Sequence, residues 1–161
     1  PVLIDRCGVL AGPWQMGRVD QGVTALWVAA HQYGRPLTYI GYGGRQVRDV
    51  LHVADFADLV ATQIRREALW DGRIYNVGGG RPISFSLREL TEKTVRAVGR
   101  RVDIGDDPTV RPGDVPLYLT DRRRVMADCE WQPRRDVEVV IDDTARWMRD
   151  HEELLRPVFG R

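Results

Sequence analysis

Arg48-Asp49-Val50-Leu51-His52-Val53-Ala54-Asp55 joins a short apolar run to a polar residue that can open a helix. Val50 to Val53 reads as a strand. Asp55 can accept the free N–H groups of a helix start, and Phe56, Leu59, Val60 and Ile64 follow at helical spacing towards Trp70. Asp71-Gly72 breaks that helix, and Ile74-Tyr75-Asn76-Val77 reads as the next strand. Upstream, Val2-Leu3-Ile4 has the composition of a parallel strand buried on both faces, bounded by a turn cluster from Gly8 to Pro13. Gln21 to Tyr33 is a helix with Val23, Leu26, Trp27, Ala30 and Tyr33 on one face, stopped by Gly34-Arg35-Pro36. Leu37 to Tyr42 is a strand entering a loop at Gly41, Gly43 and Gly44.

Downstream, Ser84 or Ser86 can cap a helix that runs through Leu90 and Val95 to Gly99. Glu89 stands three residues after Ser86 and completes a capping box. Val102 to Ile104 suits a strand, Thr120 to Ala127 a short helix, and Val137 to Arg149 a last helix with Val140, Ile141, Thr144, Ala145 and Met148 inward. The order is mixed α/β, with few strands for so many helices, and the 161 residues suit a single domain.

Hydrophobic residues make up 43% of the chain and charged ones 29%, the balance of a soluble globular protein. With 24 basic and 23 acidic residues the formal charge is +1, so no overall field favours nucleic acid or a membrane. The clusters Arg122-Arg123-Arg124 and Arg134-Arg135 lack interleaved aromatic residues and read as solvated faces. Cys7 and Cys129 lie far apart, and no apolar run is long enough to span a bilayer, which points to a reducing cytoplasm. Pro1 leads directly into an apolar run, so the chain is expected to begin partway through a larger product.

Three features bear on chemistry. Gly78-Gly79-Gly80 follows a strand, as a phosphate loop would. It lacks a third glycine at the needed offset, an immediate helix, and an acidic residue to hold a ribose, so it reads as a tight turn. Arg48 and Arg111, the latter in Arg111-Pro112-Gly113-Asp114 with Tyr118 beyond, offer planar paired donors suited to a diphosphate. His31 and His151 have no carboxylate or cysteine partners at metal-binding spacing, so no metal site is expected.

These segments resemble the extended short-chain dehydrogenase/reductases, the NAD-dependent sugar-nucleotide epimerases and dehydratases. The Arg48-Asp49 and His52-Val53 signature, Tyr75-Asn76-Val77-Gly78, Arg111 to Asp114 and Trp131-Gln132-Pro133 carry the likeness. Arg6-Cys7-Gly8-Val9-Leu10-Ala11-Gly12-Pro13-Trp14-Gln15-Met16-Gly17 is most similar to the CDP-paratose 2-epimerase (CDP-tyvelose epimerase) subgroup. The resemblance implies the C-terminal part of an extended Rossmann-type fold, with a few parallel strands and a helical substrate-binding lobe. It implies a nucleotide-diphosphate-sugar site, a CDP-sugar being favoured, with the pyrophosphate between Arg48 and Arg111 and Gln21 and the Gly22 backbone at its sugar end. The base would lie against Thr38 and Ile40, Asp114 near the ribose, Tyr118 on the sugar side, and Phe85 over the base or ribose. Thr38, Ile40 and Phe85 could equally be core.

Cys7 would face the nicotinamide of NAD in an intact family enzyme. That enzyme moves a hydride from a sugar carbon to NAD and returns it, with a Tyr-x-x-x-Lys pair for proton transfer. Neither this pair nor the glycine-rich dinucleotide turn occurs here, so no catalytic residue is assigned and the chain alone is expected to bind no NAD. Two expectations follow. The chain is the substrate-binding part of an epimerase, acting with a complementary N-terminal half, or it is a non-enzymatic assembly module. Either way the Val2 to Arg6 strand should expose an open edge and favour self-association.

Overall fold

A computed structural model describes residues 1–160. The strands are β1 (Ile4–Cys7), β2 (Val9–Ala11), β3 (Leu37–Ile40), β4 (Val47–His52), β5 (Ile74–Val77), β6 (Ser84–Ser86), β7 (Ile104–Asp107) and β8 (Leu117–Tyr118). The helices are α1 (Val23–Tyr33), α2 (Val53–Ile64), α3 (Leu87–Val98), α4 (Arg123–Cys129), α5 (Val137–Asp150) and α6 (Glu152–Phe159).

Parallel pairs dominate. β1 lies on β5 with Ile4 opposite Ile74, β2 on β4 with Val9 opposite Val50, and β3 on β7 with Leu37 opposite Ile104. At its start β4 also meets β8 in parallel and β6 in antiparallel fashion. The segment from Ile4 to Ala11 changes partner at Gly8, whose N–H still donates to the Val77 carbonyl at 2.9 Å. Successive side chains on β4 point to opposite faces. Val50 therefore enters a core with Trp27, Val28, Leu90, Ile141 and Met148, and Leu51 enters a second one with Leu59, Tyr75, Val77, Val125 and Trp131. Helices α1, α3 and α5 pack together on the first side, and α2 and α4 cover the second.

Several sequence expectations shift. The first strand is not Val2–Ile4 buried on both faces but Ile4–Cys7. It pairs with β5 alone, and Val2, Ile4 and Ile74 are exposed. Asp55 does not cap α2. His52 does, its Nδ1 accepting the Ala54 N–H at 3.0 Å. Asp55, 1% exposed, lies in the first turn and holds the loop before α5: it accepts the backbone N–H groups of Arg134 (3.1 Å) and Arg135 (3.0 Å) and the Arg135 guanidinium at 2.5 Å. Helix α2 stops at Ile64, because a short 3-10 turn over Glu67–Leu69 folds the Trp70 indole back onto the Gln63 carbonyl. The capping box of Ser86 and Glu89 forms as expected. Helix α6 escapes the sequence pattern because Pro157 lies inside it, and β6 and β8 are too short to show a period.

Asp55 accepts three donors in a dry site, so Asp55→Ala leaves them unpaired. Chemical denaturation should show a loss of about 2–4 kcal/mol, against less for Arg135→Ala, whose guanidinium is a third exposed.

Two imidazoles make stability depend on acid. His31 is fully buried with Nδ1 2.8 Å from the Trp27 carbonyl, so Nδ1 carries the proton, and Nε2 has no partner. His52 accepts at Nδ1 and turns its Nε2–H towards Asp143, 3.4 Å away. Burial lowers both pKa values below the usual imidazole value of about 6.5, helped at His52 by Arg135 and opposed there by Asp143. The fold thus favours the neutral rings. Their contribution is complete above about pH 6.5 and is lost as pH falls from there through the folded-state values. The denaturation midpoint should drop between pH 7 and pH 5, and His31→Asn, which keeps a donor to Trp27 but cannot titrate, should flatten that slope.

Candidate functional site

One cleft of roughly 560 Å³ gathers side chains from distant parts of the sequence. The end of β3 supplies Thr38 and Ile40, the entry to β4 supplies Gln46 and Arg48, and the start of β2 supplies Val9 and Leu10. The segment from Gln15 through the first turn of α1 forms another wall, and Arg111 and Asp114 come from the loop before β8.

The loop from Gly12 to Gly22 is held at several points. Trp14 has φ +70°, a conformation that disfavours a large side chain, and its ring packs on Trp147 (5.5 Å between centroids) and His151 (5.0 Å). Gln15 donates from Nε2 to the Leu10 carbonyl at 2.7 Å. Arg18 and Gln21 exchange backbone hydrogen bonds of 2.7 and 3.2 Å, and Arg111 Nη1 donates to the Val19 carbonyl at 3.2 Å. Gly17 lies hard against the helix start, where a Cβ would stand 2.3 Å from the Leu26 nitrogen, so only glycine fits.

The electrostatics favour an anion. Arg18, Arg48 and Arg111 line the cleft against Asp20 and Asp114. Arg48 donates to the Val47 carbonyl (2.7 Å) and to Asp114 Oδ1 (2.5 Å), so its guanidinium is set in one orientation. Gly22 begins α1 in the left-handed region with no side-chain cap, and the first turn holds no acidic residue. The unpaired N–H groups of that turn carry the positive end of the helix dipole, and Gly22 and Val23 line the cleft. Among the described residues no histidine, lysine, tyrosine, cysteine or serine lines it, and its carboxylates are Asp20 and Asp114.

Of the residues expected to bind substrate, Gln21, Gly22, Thr38, Ile40, Arg48, Arg111 and Asp114 all line this cleft. Phe85 does not: it is 1% exposed in the first core, opposite Arg48 in the β4–β6 register, so it cannot close over a base without leaving the core. Tyr118 stands beside Arg48 on β8, close to Gly8 but outside the lining. Cys7 ends β1, exposed and also outside the lining. Gln15, Arg18 and Gln46 are lining residues that the sequence did not mark.

The glycine triplet is packed shut. A Cβ at Gly79 would stand 2.1 Å from the Val50 carbonyl, one at Gly78 would meet Thr120 and Asp49, and the Gly80 N–H donates to buried Asp49 at 2.7 Å. The triplet lets β5 leave the sheet under the Thr120 loop and offers no phosphate cradle. Among the described residues no cluster of metal-ligating side chains occurs, and no helix is long and apolar enough to cross a membrane.

Comparison with known proteins agrees with this architecture. The family model for the NAD dependent epimerase/dehydratase family matches residues 1–78. The chain is 31% identical to a dTDP-glucose 4,6-dehydratase of Streptomyces antibioticus, over 99% of this chain and 45% of that protein. It is 30% identical to a CDP-paratose 2-epimerase of Salmonella typhi, over 90% of this chain and 44% of that one. The solved UDP-glucose 4-epimerase of Thermotoga maritima with UDP-glucose superposes with a TM-score of 0.82 at 22% identity, over 93% of this chain and 46% of that one. The fold is thus of the Rossmann type found in these epimerases, and the chain spans somewhat under half the length of the relatives it matches. The chain belongs, as a part, to the NAD-dependent epimerase/dehydratase family.

Proposed function

We propose that the chain is the C-terminal, nucleotide-diphosphate-sugar-binding part of a sugar-nucleotide epimerase or dehydratase, and is not catalytically competent alone. The observation that carries this reading is the convergence of Arg48, Arg111 and the uncapped start of α1 on one cleft. Two guanidinium groups and a helix N-terminus supply the positive charge and N–H donors that a diphosphate requires. In this reading Gln21 and Gly22 meet the diphosphate or sugar end, Thr38 and Ile40 flank the base, and Asp114 holds Arg48 ready while meeting the ribose. Tyr118 borders the sugar side, and Phe85 supports Arg48 from across the β4–β6 pair. A CDP-sugar is the first candidate, on the likeness of residues 6–17 to the CDP-paratose 2-epimerases.

The residues present do not fit NAD. The glycine triplet is filled by Val50, Thr120 and Asp49, and Cys7 alone makes no dinucleotide site. We assign the cofactor and the proton-transferring groups to a complementary N-terminal half.

Calorimetric titration with CDP, UDP and dTDP tests the reading. Saturable binding of at least one is expected, weakened roughly ten- to a hundredfold in Arg111→Ala by loss of charged hydrogen bonds. Failure of all three to bind would overturn it.

The assembly reading has its own support. Among the described residues β1 has a partner on one side only, and its first residue Ile4 and nearby Val2 are 43% and 53% exposed. Ile4 and Gly8 donate to the carbonyls of Arg73 and Val77 on the β5 side, so by the alternation of a parallel strand the N–H groups of Asp5 and Cys7 face the open edge. Light scattering of the purified chain should show a dimer or larger assembly; a clean monomer at high concentration would count against pairing through this edge.

A further inference from the structure

The loop before α1 carries a third guanidinium, and its backbone decides which way that side chain leaves. The Arg18 N–H donates to the Gln21 carbonyl at 2.7 Å, and the Gln21 N–H returns a bond to the Arg18 carbonyl at 3.2 Å. Residues that exchange both backbone bonds stand directly opposite each other, with their side chains on one face and their Cβ atoms about 5 Å apart. Val19 and Asp20 form the tip between them. Arg18 and Gln21 both line the cleft, so a ligand group that reaches one of these side chains lies beside the other. The pair is anchored on both flanks: Gly17 is seated hard against the Leu26 nitrogen, and Gly22 opens α1.

The three lining arginines differ in what they have left to give. Arg48 spends Nη1 on the Val47 carbonyl and Nη2 on Asp114, and Arg111 spends Nη1 on the Val19 carbonyl. Among the described residues the exposed Arg18 guanidinium makes no hydrogen bond or ion pair, so all of its donors are open to a ligand. Charge narrows what that ligand group is. Arg18, Arg48 and Arg111 against Asp20 and Asp114 leave the lining one positive charge in excess, and the open start of α1 adds about half a charge. A diphosphate linked to a sugar carries two negative charges. Without Arg18 the lining side chains would sum to zero; with it they approach that demand and leave nothing over for a further acidic group. We propose that Arg18 is a ligand-binding residue of the cleft, whose guanidinium grips the diphosphate beside Gln21, from the α1 wall rather than the β4 wall that carries Arg48. This rests on the diphosphate reading above and narrows it to nucleotides whose sugar is uncharged. Asp20, at the tip of the same turn, is the carboxylate that moderates the grip.

The test compares wild type, Arg18→Gln, Asp20→Asn and Arg65→Gln by calorimetry, with thermal melting of each. The ligands are inorganic pyrophosphate, the nucleoside diphosphate that binds best, and its hexose and hexuronic acid derivatives. All three substituted residues are exposed, so the fold should be kept. Arg18→Gln should weaken pyrophosphate and the nucleoside diphosphate alike by about tenfold, equivalent to about 1.4 kcal/mol. Asp20→Asn, which removes the opposing charge, should strengthen both a fewfold. Arg65 lies in the groove between α2 and α4, so Arg65→Gln removes the same charge at a distance and should change nothing. Wild type should bind the hexose derivative more tightly than the hexuronic acid. Unchanged affinity in Arg18→Gln, or an equal loss in Arg18→Gln and Arg65→Gln, would overturn the assignment while leaving the diphosphate site standing. So would a preference for the hexuronic acid that Arg18→Gln abolishes, because Arg18 would then serve the sugar. Absence of any binding to wild type would remove the diphosphate reading and the assignment with it.

Discussion

Strand β4 is the constraint on which the rest of the structure depends. Its six residues meet β8 and β6 at one end and β2 at the other. Each side chain then has a separate task. Arg48 reaches the cleft, Asp49 turns inward to the Gly80 N–H, Val50 and Leu51 anchor the two cores, and His52 starts α2. A slip of one residue would exchange every one of these faces, so the pairing on both edges fixes the register and the site together.

The cleft follows from that register. β3 and β4 bring Thr38, Ile40, Gln46 and Arg48 to one wall, and the pinned loop from Gly12 to Gly22 brings the open end of α1 to the other. The Trp14 stack and the close seat of Gly17 on α1 hold this second wall, while Asp114 orients Arg48 from a third segment. A preformed arrangement of this kind spares a ligand the cost of ordering the site. The lining combines the guanidinium groups of Arg18, Arg48 and Arg111 with the carboxylates of Asp20 and Asp114 and the amides of Gln15, Gln21 and Gln46.

Much of this was legible in the sequence, for definite reasons. The capping box at Ser86 and Glu89 and the inward face of α5 each carry a local pattern that tertiary contacts did not override, whereas α1 is buried nearly all round, with Val28, Ala29 and His31 inside and Val23, Leu26 and Tyr33 only half-buried. Asp55 misled because either His52 or Asp55 can accept at a strand-to-helix junction. The choice was made by the distant loop at Arg134 and Arg135, which captured Asp55. Phe85 misled because an aromatic residue on a three-residue strand leaves its face undetermined. Gln15 and Gln46 left no trace in the sequence at all. A glutamine in a loop follows no period, and only the fold brings these two to the cleft.

The cleft between β3, β4 and the start of α1 is proposed to hold a nucleoside diphosphate. Residue-resolved NMR during titration with CDP, UDP or dTDP addresses it most directly. Saturable shifts are expected at the amides of Gly22 to Ala25 and at the side chains of Arg48 and Arg111. Shifts confined to the open groove between α2 and α4, lined by Arg65, Arg66 and Arg134, or none anywhere, would contradict it.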